Sequence, residues 1–134
     1  MPKNIIHFFS RSKILIIEDN DLLQKVMTDH LTDEGYSVLS ANDGLRGYEM
    51  ALAEHPDLIL LDMMLPKMDG ISLLKALRKD EWGGGAKVLI TTNLMKGDEL
   101  AKQLTEYRIL GFLEKVDLTL GELSKKIKEA LTKA

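Results

Sequence analysis

"KILIIEDN", residues 13–20, is the stretch whose reading decides the fold. Four consecutive apolar residues, Ile14 to Ile17, read as a strand buried on both faces, as in the interior of a parallel sheet. The strand then runs directly into two acids, Glu18 and Asp19. Burying charge costs heavily unless a partner compensates it, so these acids ask for a cation or a ligand at the same edge of the sheet. A second run of this kind, "PDLILLD" (56–62), ends in a third acid, Asp62.

Outward from these two strands, the apolar period alternates between strand-like and helix-like. Leu22, Leu23, Val26, Met27 and Leu31 recur at helical spacing, and Gly35 suits the end of that helix. "YSVLSA" (36–41) is a short strand, and Asn42 or Asp43 caps a second helix reaching about Glu54. Ile71, Leu74 and Leu77 mark a third helix, "KVLITT" (87–92) a fourth strand, and Leu100, Ala101 and Leu104 a fourth helix. "GFLEK" (111–115) is a short fifth strand. Thr119 and Glu122 stand in capping-box spacing before a last helix with Leu123, Ile127 and Leu131 on one face.

Five β-α units with short connections predict an α/β fold, a doubly wound five-stranded parallel sheet with helices on both faces. In such sheets ligands bind outside the carboxyl ends of the strands, where the strand order reverses. "EWGGGAK" (81–87) reads as the one flexible stretch. It joins a helix to a strand and therefore falls at the opposite end, with Trp82, and its glycines lack a phosphate-loop pattern.

The 134 residues fit one domain, long enough to bury roughly two-thirds of the unfolded surface. The absence of cysteine excludes a disulfide framework, a thiol nucleophile and a Cys-based zinc site. A net charge of −3 speaks against nucleic acid as a direct partner. No apolar run approaches the ~18 residues of a membrane span. The opening "MPKNIIHFFSRS" carries Ile5, Ile6, Phe8 and Phe9, too short a cluster, interrupted by His7, for a secretory signal. A cytoplasmic protein is expected, with residues 1–12 an extension of unassigned role and 13–134 the domain. His7, His30 and His55 have no ligand-like spacing.

The carboxyl ends of the strands collect Glu18, Asp19, Asp62, Thr91, Thr92 and Lys115. Clustered carboxylates repel and raise one another's pKa; a divalent cation resolves the conflict. Magnesium suits this donor set, since it takes one or two carboxylates, keeps several waters and accepts phosphate oxygens. Each residue also has a plain structural reading. Asp19 or Asn20 can cap the first helix, Asp62 can be a turn acid before Pro66 and Gly70, Thr92 an ordinary strand residue, and Lys115 a surface lysine. Their joint placement at successive strand ends favours a site.

From about Lys13 to the final helix, the chain resembles the receiver domain of bacterial and archaeal two-component response regulators. "ILIIEDN" looks like the family's acid pair, and "PDLILLDMMLPKMDG" resembles its phosphoacceptor segment, with Pro66 and Gly70 spaced from Asp62 as in the family. "VLITTN" matches the strand ending in Thr or Ser at Thr92, and "FLEK" the aromatic-x-x-Lys of strand five, Phe112 and Lys115. The resemblance implies a flavodoxin-like strand order 2-1-3-4-5. It implies that Asp62 accepts the phosphoryl group, and that Asp19, Asp62 and the backbone carbonyl of Met64 hold Mg²⁺, with Glu18 acting through a metal-bound water. Lys115 and Thr92 would contact phosphoryl oxygens, and Thr92 and Phe112 would switch the face made by helix four, strand five and helix five. The implied partners are a histidine kinase or phosphotransfer protein, a downstream protein acting in trans, and a homodimer through that face. Neither nucleic acid nor membrane is engaged directly. The chain would not be a turnover enzyme; it would catalyse its own phosphoryl uptake and slow loss.

Three departures from the family stand out. Val116 follows Lys115 where proline is usual, and a trans bond is expected, because cis to valine costs ~2.5–4 kcal/mol. Ile109 replaces a small residue near the switch. Met64 and Leu94, two positions beyond Asp62 and Thr92, are both apolar and cannot orient an attacking water, so slow dephosphorylation is expected. The alternative is a phosphorylation-independent pseudo-receiver, a binding module indifferent to Asp62→Asn. A haloacid-dehalogenase-type phosphatase needs a second acid where Met64 stands, and flavin binding needs a Ser/Thr/Gly-rich loop after strand one.

Overall fold

The computed structural model describes residues 11–93 and 98–133. Residues 1–10, with the Ile5 to Phe9 cluster, and Leu94 lie outside them. The chain alternates β1 (Lys13–Ile17), α1 (Asp21–Asp33), β2 (Ser37–Ala41), α2 (Gly44–Glu54), β3 (Leu58–Asp62), α3 (Gly70–Lys79), β4 (Val88–Thr92), α4 (Asp98–Thr105), β5 (Gly111–Glu114) and α5 (Leu120–Thr132). Every strand pair is parallel, as the sequence predicts, and the sheet order is β2-β1-β3-β4-β5, as the family resemblance implies.

The burial pattern explains this order. Every residue of β3 and β4 is buried, as is β1 after Lys13, so these strands take the centre. The more exposed β2 and β5 take the edges. Side chains alternate across the sheet. Leu15, Ile17, Ile59, Leu61, Val88 and Ile90 pack on one face with α2, α3 and Leu104 of α4. Ile14, Ile16, Leu58, Leu60, Leu89 and Leu113 pack on the other, against Met27 and Leu31 of α1 and Leu123 and Ile127 of α5. Each fully buried Leu or Ile contributes roughly 1.5–3 kcal/mol, and these two layers fix the strand ends relative to one another.

Helix starts are set by short polar caps. Asn20 Oδ1 accepts from Leu23 N at 2.9 Å, Asp43 Oδ1 from Arg46 N at 2.7 Å, and Thr119 Oγ1 from Glu122 N at 3.1 Å. Asn20 therefore fills the capping role open to Asp19, and Asp19 remains for the site. Gly35, at φ +100°, follows α1 as expected.

Two expectations change. The third helix buries Leu73 fully beside Leu74 and Leu77, while Ile71 is half-buried. The 81–87 stretch is built, not loose. Gly83–Gly85 form a 3-10 turn, Asp80 Oδ2 accepts from Gly83 N at 2.8 Å, and Arg78 Nη1 donates to Gly83 O and Ala86 O at 2.8 and 2.7 Å. Arg78 Nε also reaches Tyr107 O at 2.7 Å, tying this turn to the loop before β5. Trp82 stacks on His55 at 4.4 Å, at the end of the sheet away from the acids, as expected. No cis peptide occurs among the described residues, so Val116 is trans.

Candidate functional site

β1 and β3 are hydrogen-bonding neighbours with Ile17 opposite Leu61, so Glu18 and Asp62 emerge side by side at the carboxyl edge. Asp19 follows on the outside. One oxygen from each of the three carboxylates lies within 4.8 Å of the others. Glu18 and Asp62 are buried and Asp19 is exposed. They line a cleft of about 360 Å³ together with Met64, Asn93 and Lys115.

Lys115 arrives from the end of β5. Its backbone N–H donates to Thr92 O at 2.8 Å, and its Nζ stands 2.6 Å from Glu18 Oε1 and 3.0 Å from Asp62 Oδ2. A trans bond to Val116 thus leaves the reach of Lys115 intact. Glu18 Oε2 accepts from Asn20 N at 3.0 Å. Gln24 Nε2 donates to Glu18 O and Ala41 O, both at 3.0 Å, holding the ends of β1 and β2 together. Asp62 Oδ1 accepts a long 3.3 Å bond from Met64 N.

The electrostatics follow from this packing. Burial raises the Glu18 pKa above the ordinary 4.5, and the Asp62 charge adds to it; the Lys115 hydrogen bond and the Asn20 N–H oppose the rise without cancelling it. Burial alone would lower the Lys115 pKa, but its hydrogen bonds to Glu18 and Asp62, with their charges, raise it above 10.5. Lys115 is therefore a fixed cation.

Among the described residues, one ammonium stands against three carboxyl groups at this edge of the sheet. Glu18 Oε1 is buried, with the Lys115 ammonium 2.6 Å away. An all-oxygen donor set with one exposed and two buried carboxylates fits a hard divalent cation that retains waters.

Thr92 is buried at the end of β4, one residue beyond the partner of Asp62. By alternation it shares the Ile90 face, and Phe112 is the register partner of Ile90, so Thr92 and Phe112 are diagonal neighbours on one face. Phe112 and Ile109 are half-buried against the same apolar layer. The structure therefore gathers Glu18, Asp19, Asp62 and Lys115 into one cleft and places Thr92 at the end of the neighbouring strand, with Phe112 diagonal to it on one face. Sequence reasoning missed two contributors. Asn93 lines the cleft, and its signal was its place next to Thr92. Gln24 has no local signal, because its partners are tertiary.

The family model described as "Response regulator receiver domain" matches residues 14–128. The DNA-binding dual master transcriptional regulator RpaA of Synechocystis is 42% identical over 82 residues, 61% of this chain and 34% of that protein, so the match spans about a third of RpaA. The polar-differentiation response regulator DivK of Brucella ovis is 38% identical over 87 residues, 64% of this chain and 71% of DivK. Among solved structures, the receiver domain of the sensor histidine kinase PA1611 of Pseudomonas aeruginosa superposes with a TM-score of 0.82 at 27% identity, covering 92% of this chain and 100% of that one. That structure holds a magnesium ion in its active-site cleft. With the acid pair, the strand-end aspartate and the strand-five lysine converging as described, the chain belongs to the receiver domain family of two-component response regulators.

Proposed function

We propose that this receiver accepts a phosphoryl group on Asp62, and that the modification shifts the face formed by α4, β5 and α5. The observation that supports it best is the Asp62 carboxylate held 3.0 Å from Lys115 Nζ, with Glu18 and Asp19 alongside. Glu18, Asp19, Asp62 and the Met64 carbonyl would hold Mg²⁺, which when bound neutralises charge on the transferring group. An Asp62 oxygen attacks phosphorus, and the bond to the donor breaks. With a donor phosphohistidine that is the P–N bond, whose electron pair stays on the imidazole; with acetyl phosphate it is the P–O bond, and acetate leaves. Lys115 shifts its pairing from the Asp62 carboxylate to a phosphoryl oxygen as a compact charge. The Thr92 hydroxyl donates to another oxygen, and Phe112 fills the space that Thr92 vacates, biasing two packings of the same face.

The donor is a histidine kinase or phosphotransfer protein, output goes to a downstream protein in trans or to a homodimer through the α4-β5-α5 face, and the setting is the cytoplasm. Intact-mass measurement after incubation with acetyl phosphate, with and without Mg²⁺, tests the reading. A single Mg²⁺-dependent phosphoryl adduct is expected, absent in Asp62→Asn. A folded wild type that takes no adduct from acetyl phosphate or from any histidine kinase offered would overturn it.

A further inference from the structure

The loop between β3 and α3, residues 63–69, carries Met64. Lys67 sits at φ +68°, a region that side chains other than glycine populate sparsely. Met68 N donates to Pro66 O across it at 2.8 Å, closing a tight γ-turn. Strained turns of this kind persist where the surroundings over-determine them.

Here the surroundings are the first turn of α2. Gly44 N donates to the same Pro66 oxygen at 3.1 Å. The bare α-carbon of Gly44 lies so close to the Met68 carbonyl that a Cβ at Gly44 would fall on that oxygen. Gly44 is itself held by the Asp43 cap, whose Oδ1 is bound to Arg46 N. Asp43 Oδ2 adds an ion pair to Lys67 at 3.8 Å, but Lys67 is exposed, and such pairs contribute little. The backbone contact at Gly44 therefore outweighs this ion pair, while Gly70 N, donating to Met63 O at 3.1 Å, holds the other end of the loop.

We infer that Gly44 is a positioning residue for the phosphoacceptor loop: the first turn of α2 holds the 66–68 turn, and through it sets where the Met64 carbonyl stands relative to Asp62. This deepens the phosphoacceptor reading and rests on it. Gly44→Ala must push the loop off α2 and loosen the divalent-cation site without touching any of its ligands.

The test is a Mg²⁺ titration of the whole chain, followed by amide chemical shifts, on the wild type and two variants. Gly44→Ala is expected to weaken Mg²⁺ binding about 10–100-fold, the range for removing support behind a metal ligand. Gly83→Ala, a comparably crowded glycine against Leu77 at the opposite end of the sheet, lowers the thermal midpoint and leaves Mg²⁺ affinity within about twofold of wild type. The same coupling is readable without mutation, because linkage is reciprocal. Mg²⁺ should slow hydrogen exchange at the Gly44 and Met68 amides of the wild type relative to the Ala86 amide, so a Gly44→Ala chain that fails to fold leaves a decisive measurement. Equal Mg²⁺ affinity in folded Gly44→Ala and wild type, or uniform exchange protection, overturns this inference alone. A wild type that binds no Mg²⁺ overturns it together with the phosphoacceptor reading.

Discussion

Replacing Lys115 by methionine tests how the cleft is held together. The Lys115 side chain is 12% exposed and its carboxylate partners are 1% and 4% exposed. At an effective dielectric of about 20, contacts of 2.6 and 3.0 Å each represent about 6 kcal/mol of gross attraction. Desolvation of three charged groups offsets most of that, but deleting one partner leaves the others buried and unpaired, which costs about 3–5 kcal/mol. For a domain of this size that is roughly a 10–20 °C fall in thermal midpoint. Two dependences identify the cause. In the metal-free protein the Glu18 pKa is already raised, and removing Lys115 removes influences that lower it. A raised folded-state value makes stability greatest below the unfolded value near 4.5 and lost as pH rises through the folded one. The variant's deficit should therefore shrink as pH falls from neutral toward that range. At one Mg²⁺ concentration, about a hundredfold above the variant's Kd, the variant should gain about 2.7 kcal/mol and the wild type, whose ammonium competes with the cation, less. Urea denaturation followed by circular dichroism reads all three. Unchanged stability at neutral pH without metal would refute the buried triad.

Met64, at the rim of the cleft, is 76% exposed, so it can be changed without a packing cost. Met64→Gln is expected to shorten the phosphoryl half-life at least severalfold by orienting a water, measured as decay of the mass adduct; an unchanged half-life would count against apolarity at this position as the cause of slow loss. Asp69 caps α3 through Ser72 N at 2.9 Å, and this bond to Ser72 holds its pKa below 3.8. Asp69→Ala should cost about 1 kcal/mol at neutral pH. Because the folded value is depressed, that contribution is present above the unfolded value and lost as pH falls through the folded one. Parallel stability curves for the two proteins across the acid range would contradict the cap.

Much of this architecture was legible in the sequence because its causes are local. Ile14 to Ile17 and Leu58 to Leu61 are apolar without a break, as a strand covered on both faces should be, and the acids that follow are anomalous for the same reason. Asp43 and Thr119 announce their helices through contacts three residues away. The illegible parts depend on partners distant in the chain. Ile71 fits the α3 stripe by spacing, yet the fully buried position is Leu73, chosen by how the helix is rotated on the sheet. The glycines at 83–85 read as slack because nothing nearby reveals that Arg78 spans them. Asp19 and Asn20 were interchangeable as caps until Asn20 took the helix and left Asp19 to the cleft.

Arg78 has a consequence for how this chain tolerates change. Its guanidinium binds the carbonyls of Gly83, Ala86 and Tyr107, atoms every amino acid carries. The brace therefore reads the course of two loops and is indifferent to the side chain at Ala86 or Tyr107. Sequence drift in those loops leaves the brace intact as long as the backbone path survives. The converse holds at Arg78 itself, since a lysine ammonium lacks the planar fork needed to reach carbonyls in different directions at once. A single side chain can thus license variation in the segments around it, concentrating the constraint of two loops on a single codon.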